Sequence, residues 1–516
     1  MDKIALNRKL KKMLIEQKKR IITVCIAVFV WGMLAHSYGL LNLTISHDSL
    51  CEFFLSMGDA MHKVELGRFM VPIYQLVFHG RVTLPWLNGL LSLCWLSIST
   101  LMIIHLFSIT EKIQIILIAG ILTVNITVTA LTATYIHDLD ADMFAVMLAV
   151  YATCLWNKGG KSTLASIPIL VMMLGFYQSM LSVTISLIMF ISIMALLQGD
   201  NIKTVLFKGI QAIGTMLIAG ILYIILAKFV CIMLNTKLSS AYNGITNLFV
   251  SKGGVVAYIY LILKAYLKWL VVFSRSSRSL LCMILLHSLL ALPSITVIIS
   301  AMKKKTLSKS NKLLILCLSA LLPLGMNISY VLDGGMAHDL MLYSAWLIYL
   351  LAILLINWFK DSCDGAKVMK KLCNFLTVII LFAILITDVQ TANSAYVKKD
   401  LERQATLSIM TEVDYEMNKI DNYIAGETNV VFIGIPQVGI NELFPYMTHI
   451  TGLQHKSPVS YFEYYSPYYH YILQKPLAQS KKDIPKTFID PIPAFPNEGY
   501  IQWYDDILVV KMSEDY

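Results

Sequence analysis

Two short stretches of this chain concentrate groups that could move a proton or hold a charge. The first reads Ser46-His47-Asp48-Ser49 and is followed by Glu52, Asp59, Glu65 and Arg68. The second reads Tyr135-Ile136-His137-Asp138-Leu139-Asp140-Ala141-Asp142, three carboxylates and a histidine within eight residues. A carboxylate held at fixed depth at a membrane–water boundary can take the proton of a hydroxyl as that hydroxyl attacks an anomeric carbon. Asp48 is the first candidate for that base, with Asp138 and Asp140 as its partners. The plain alternative is local. Ser46 and Asp48 are good N-cap types, and acids in the first turn of a helix suit its dipole. The second stretch could also position a sugar, or hold a divalent cation through oxygen ligands, although its spacing is not that of an EF-hand.

Cationic and hydrogen-bonding groups recur in the same kind of place. Arg275 and Arg278, in Ser274-Arg275-Ser276-Ser277-Arg278, would suit a phosphate, because a guanidinium offers a planar fork to its oxygens. Lys264 adds point charge, and Arg68 is a further candidate. The bland reading of these cations is anchoring to anionic lipid headgroups. Tyr177 and Gln178, in Gly175-Phe176-Tyr177-Gln178-Ser179, interrupt a long apolar region with donors for a hydroxyl-rich ligand, or form a simple hairpin turn. His338 and Asp339 follow Asp333-Gly334-Gly335 at the mouth of a late helix. The nine cysteines are scattered and include no CxxC, which argues against a zinc or disulfide framework. There is no glycine-rich phosphate loop and no HExxH, so no metal site and no cofactor is called for. A divalent cation on the acids stays the alternative.

The elements that must position these groups are membrane helices. Of the 516 residues 57% are hydrophobic and only 14% charged, against roughly 25% charged in a soluble domain. Nearly uncharged runs recur from residue 21 to residue 389, each near the ~20 residues that span the hydrocarbon core. Candidate spans fall at about 21–43, 84–107, 113–134, 140–156, 162–178, 180–198, 209–234, 279–300, 313–332, 340–358 and 372–389. The stretch 254–273 carries Lys264 and Lys268 among aromatics and reads as an interfacial helix, with a twelfth span as the alternative.

Eleven crossings keep Lys158–Lys161, Lys203–Lys208, Lys303–Lys312 and Lys360–Lys371 on the cytoplasmic side, together with the eight Lys/Arg of residues 1–20. The net charge of +10 thus expresses orientation and contact with membrane lipids, not nucleic-acid binding. The chain divides into a basic cytoplasmic N-terminus (1–20), a transmembrane domain (21–390) and an extracytoplasmic C-terminal domain (391–516). The last holds polar helix-like text at about 398–424, strand-like runs Asn429–Ile435 and Ile507–Met512, and the aromatic cluster Tyr461, Phe462, Tyr464, Tyr465, Tyr468, Tyr469 and Tyr471. It predicts a small α+β unit beside an all-α polytopic bundle.

The cytoplasmic loops are too short to build a nucleotide-binding domain, so an activated donor would have to arrive on a membrane lipid phosphate. With Ser46-His47-Asp48 after the first helix, Glu65-Leu66-Gly67-Arg68-Phe69 in the first outer loop and Tyr177-Gln178-Ser179 between helices 5 and 6, the chain resembles the Gtr-type, serotype-converting O-antigen glucosyltransferases over about residues 20–390. These are polyprenyl-phosphate-sugar-dependent enzymes of GT-C architecture. The resemblance implies undecaprenyl-phosphate glucose or a related sugar as donor. It implies an O-antigen or other surface glycan, lipid-linked or polymeric, as acceptor. It also implies a bacterial inner membrane, with the aspartate of the first outer loop, here Asp48, as the catalytic carboxylate. The family often pairs acids in that loop. Here His47 precedes Asp48, so Asp138 or Asp140 would be the partner acid. The competing readings are a lipid-linked-sugar transporter or flippase, a surface-polysaccharide polymerase or ligase, and a receptor using the tail.

Overall fold

The computed structural model describes residues 3–52, 57–80, 82–239, 254–273, 280–335, 337–362 and 367–515. The chain opens with α1 (Lys3–Leu41) and passes through three short helices of the first long loop, α2 (His47–Cys51), α3 (Met57–Glu65) and α4 (Met70–Phe78). It then enters the bundle with α5 (Pro85–Leu106), α6 (Lys112–Thr123), α7 (Ile126–Thr134), α8 (Leu139–Lys158), α9 (Lys161–Phe176), α10 (Leu181–Gln198) and α11 (Ile202–Met233). The helices Gly254–Val272, Leu280–Lys303, Lys309–Met326, Ile348–Ser362 and Lys367–Met417 follow. Among the described residues nine helices are long and apolar enough to cross a membrane, and the bent pair α6–α7 makes ten. Helix α9, at 16 residues, is a shorter apolar helix at the place of the expected 162–178 span, so nine to ten of the expected eleven have span length among the described residues. The polytopic bundle with a small α+β unit is therefore the architecture observed.

The 42° bend between α6 and α7 has a side-chain cause. Asn125 caps α7, its Oδ1 accepting from the Val128 amide at 3.1 Å, while its Nδ2 donates to the Ile121 carbonyl at 3.0 Å. One amide side chain thus satisfies groups that the interrupted ladder leaves open. The bend is clamped from outside by His36 of α1, whose Nε2 donates to the Thr123 carbonyl at 2.9 Å. Its Nδ1 accepts from the Tyr396 hydroxyl at 2.6 Å. The helix Gly254–Val272 lies against Lys309–Met326, joined by Asn327 Nδ2 to the Ala265 carbonyl at 2.8 Å and Tyr266 Oη to the Ala320 carbonyl at 2.9 Å. It leaves Val256, Ile259, Leu263, Leu267 and Leu270 exposed.

The 51-residue helix Lys367–Met417 leaves the bundle and enters the C-terminal unit without a break. Beyond it lies a four-stranded sheet in the order β2-β1-β4-β3, with β1 (Asn429–Ile433), β2 (Ala478–Gln479), β3 (Ile501–Tyr504) and β4 (Ile507–Lys511). β1 runs parallel to β2 and β4, and β3 is antiparallel to β4. The strand-like runs are β1 and β4, and both are central and buried. One face of the sheet packs Phe432 on Tyr465, rings stacked 3.9 Å apart, with Tyr468 and Tyr469 and with Met410, Val413 and Met417 of the long helix. Ile45 and Leu50, which flank Asp48 in the first long loop, are buried in this same core. The tail is thus built around a piece of the loop that follows α1.

Candidate active site

Asp48 is set by a helix start that it does not itself cap. Ser46 is the N-cap of α2, and the Ser46 amide and the Ser49 hydroxyl complete a reciprocal capping box at 2.8 Å. The Ser46 hydroxyl also donates to the Thr134 carbonyl at 2.5 Å, which pins α2 to the end of α7. Asp48 is left to point its carboxylate outward, with 31% of the side chain exposed. Its Oδ2 lies 3.2 Å from His47 Nε2, and its Oδ1 accepts from the Tyr464 hydroxyl of the C-terminal unit at 3.1 Å. The Tyr135 hydroxyl is a third donor. Burial disfavours the anion, but the bond from His47 and the charges of His47 and His137 outweigh it, holding the carboxyl well below the usual range. His455 lies on His47 with ring centroids 4.1 Å apart.

Beneath this patch lies a second, buried cluster. Helix α3 ends in a Schellman turn, with the Arg68 amide bonded to the Lys63 carbonyl at 2.8 Å and the Gly67 amide to Val64 at 2.9 Å. Gly67 takes φ +77°, and a Cβ there would run into the Tyr223 hydroxyl. That hydroxyl accepts from Gln178 Nε2 at 2.7 Å, and Gln178 also donates to the Leu66 carbonyl at 2.9 Å. The turn swings Arg68 back beside Lys63, its guanidinium 4.4 Å from the Tyr177 ring centroid. Asp138 stands at the N-cap of α8, but its side chain makes no cap bond. It meets Lys63 directly, Arg68 Nη1 at 3.5 Å and Gln75 Nε2 at 3.5 Å.

Lys63 also lies 3.1 Å from Glu52, and His137 Nε2 lies 3.2 Å from the same carboxylate. Burial opposes the Lys63 ammonium, yet the charges of Asp138 and Glu52 raise its proton affinity above the ordinary value. Burial likewise opposes the Asp138 anion, and Lys63, His137 and Arg68 together keep it ionised. Glu52, His137 and Asp138 bring donor atoms within 4.8 Å of one another, a set that would suit a divalent cation. The Lys63 ammonium already sits between two of them and supplies the positive charge they need. Arg68 Nε and His137 Nδ1 lie buried with no hydrogen-bond partner among the described residues.

The candidate residues thus separate. Asp48, Asp138, Arg68, Tyr177 and Gln178 gather at one end of the bundle. Asp140 is fully buried one step further in, holding Asn88 Nδ2 at 3.2 Å with His79 Nε2 at 3.5 Å. Burial pushes the His79 imidazole below its ordinary proton affinity. Lys264 sits on the helix Gly254–Val272 with its ammonium 4.3 Å from the Tyr260 ring centroid, and no contact ties it to the acids among the described residues. His338 is exposed; beside it Asp339 Oδ2 accepts from Thr451 Oγ1 of the C-terminal unit at 3.0 Å. Arg275 and Arg278 lie outside the described residues. Sequence reasoning passed over Lys63, Tyr464 and His455. Lys63 had a signal, a charge on the inward face of a short amphipathic helix. The other two lie more than 400 residues from Asp48 and had none.

A polytopic helical bundle that collects buried acids and cations at one end, under a small α+β cap, has the build of a membrane-embedded enzyme. Residues 37–356 match the family model described as glucosyl transferase GtrII, more than half of the chain, and the chain belongs to that family. It is therefore a glycosyltransferase, as the Gtr-type resemblance implied. Comparison with curated proteins and with solved structures finds no match.

Proposed function

We propose that this chain moves glucose from a polyprenyl-phosphate carrier to an O-antigen or other surface polysaccharide on the periplasmic side of a bacterial inner membrane, with inversion at the anomeric carbon. The lysine-bearing loops at one end of the bundle and the C-terminal unit at the other support that sidedness. An acceptor hydroxyl attacks C1 of the donor, the C1–O bond to phosphate breaks, and the hydroxyl proton passes to Asp48. The polyprenyl phosphate leaves as an anion. Arg68, with donors to spare beside Asp138, stabilises the charge that grows on it, and Arg275 and Arg278 join it. Lys63, Glu52, His137, Asp138 and Asp140 fix the floor of the site.

One observation carries this reading: Asp48 is a carboxylate about a third exposed and locked in place by a capping box, at the end of the bundle that also holds Arg68, whose Nε has no hydrogen-bond partner among the described residues. A carboxylate of low proton affinity is ionised at every physiological pH. It takes its proton late, once C–O bond formation has made the hydroxyl acidic. The test is Asp48→Asn in purified full-length protein in lipid nanodiscs with polyprenyl-phosphate glucose. Transfer should be lost with the thermal unfolding midpoint unchanged; full activity removes Asp48 from the mechanism.

A further inference from the structure

The tyrosine-rich segment of the C-terminal unit divides into two parts with different surroundings. Tyr465, Tyr468 and Tyr469 are fully buried in the sheet's core. Tyr461 leaves 53% of its surface open, in a part of the chain well beyond the apolar spans. Its ring centroid lies 5.8 Å from that of Tyr464 and 5.8 Å from that of His455. From the C-terminal unit, these two side chains reach Asp48 and His47, at 3.1 Å and at a 4.1 Å ring separation. The platform is fixed from behind. Ser457 accepts from the Thr406 hydroxyl at 3.0 Å and from the Val459 amide at 3.0 Å, Val459 is fully buried, and Gln479 Nε2 donates to the Phe462 carbonyl at 2.7 Å.

We infer that the C-terminal unit carries the subsite for the acceptor sugar, with the Tyr461 ring as its floor, His455 at its edge and the Tyr464 hydroxyl holding, on Asp48 Oδ1, the place that the attacking hydroxyl takes. The inference rests on the reading of Asp48 as the base. A pyranose has a C–H face that packs on an aromatic ring and hydroxyls that project at its rim, so one open ring beside a few fixed polar groups suits it. An acceptor hydroxyl that displaces Tyr464 removes one of the bonds that stabilise the Asp48 anion, and so raises its proton affinity as the reaction begins. Tyr464 is a positioning residue in this scheme.

The experiment uses the full chain in nanodiscs, polyprenyl-phosphate glucose as donor, and polysaccharide released by mild acid from cells lacking the gene as acceptor. Tyr461→Ala should raise the acceptor KM about tenfold, with the donor KM unmoved, and Tyr461→Phe should keep the wild-type acceptor KM. Tyr464→Phe should move the acid limb of the acceptor kcat/KM profile, which reports the free enzyme, to higher pH, since Asp48 there loses a donor; a purely structural role lowers kcat/KM equally at all pH. If Tyr461→Ala leaves the acceptor KM unchanged while Asp48→Asn is inactive, the subsite lies elsewhere and the base assignment stands. If Asp48→Asn is active, the base assignment fails first. If Tyr461→Ala does not fold, an unmoved acid limb in Tyr464→Phe is the overturning result.

Discussion

Asp48 and Asp138 sit at the same end of the bundle, each at the start of a helix, and they are held in opposite ways. Asp48 is about a third exposed and is held by His47 of its own loop and by the Tyr464 hydroxyl of the C-terminal unit. Asp138 is almost wholly buried and its charge is spent on Lys63 and Arg68. A buried carboxylate that already has its cation is expected to act as scaffold, because taking either partner away strands a charge in a low-dielectric interior. A carboxylate held by replaceable hydrogen bonds at the rim is the one a substrate can use.

The sharpest way to break this contrast is to neutralise each acid in turn. Asp48→Asn should lower the transfer rate by about 10²–10⁴-fold with no change in thermal midpoint. Asp138→Asn should do the reverse in kind, costing about 3 kcal/mol of stability by leaving Lys63 and Arg68 undercompensated. Thermal unfolding in nanodiscs separates the two, and an unchanged midpoint for Asp138→Asn would refute the scaffold role. Adding Lys63→Met to Asp138→Asn should recover part of the lost stability, since both halves of the pair are then gone.

A smaller effect concerns the arginine beside Asp138. Arg68→Lys keeps the charge but loses the fork and the stacking on Tyr177, and should raise the donor KM about tenfold. An unchanged donor KM would place the phosphate elsewhere. The smallest expected effect is on pH. Burial, then the charges of His47 and Lys399, lowers His455 from 6.5 to about 3. Between those values the unfolded chain binds a proton that the fold does not, so this contribution is complete above pH 6.5 and is lost as pH falls towards about 3. His455→Gln should flatten that limb of the stability curve.

Much of this was legible in the chain itself. Hydrophobic runs of span length located the bundle, and the central strands β1 and β4 were visible as Asn429–Ile435 and Ile507–Met512 because both are buried on two faces. The acids of the two loops stood out because charge is expensive at a bilayer edge. What stayed hidden depends on tertiary contact. Tyr464 meets Asp48 across 416 positions, and no local pattern encodes that approach. The tyrosine run looked like one feature, yet packing divides it between a core and a rim. Lys63 did carry a signal, its place on the inward face of a short amphipathic helix, but a lysine there usually faces water. Here Glu52 and Asp138, brought in from two other segments, make its burial tolerable.

The burial of Ile45 and Leu50 in the core of the C-terminal unit bears on how such enzymes can diverge. A tail transplanted from a relative would arrive without the two side chains that its own interior was shaped around. Chimeras that exchange residues beyond the long helix alone should therefore assemble badly. Those that carry residues 44–51 along with the new tail should recover, so the two distant segments are expected to be inherited as a single unit.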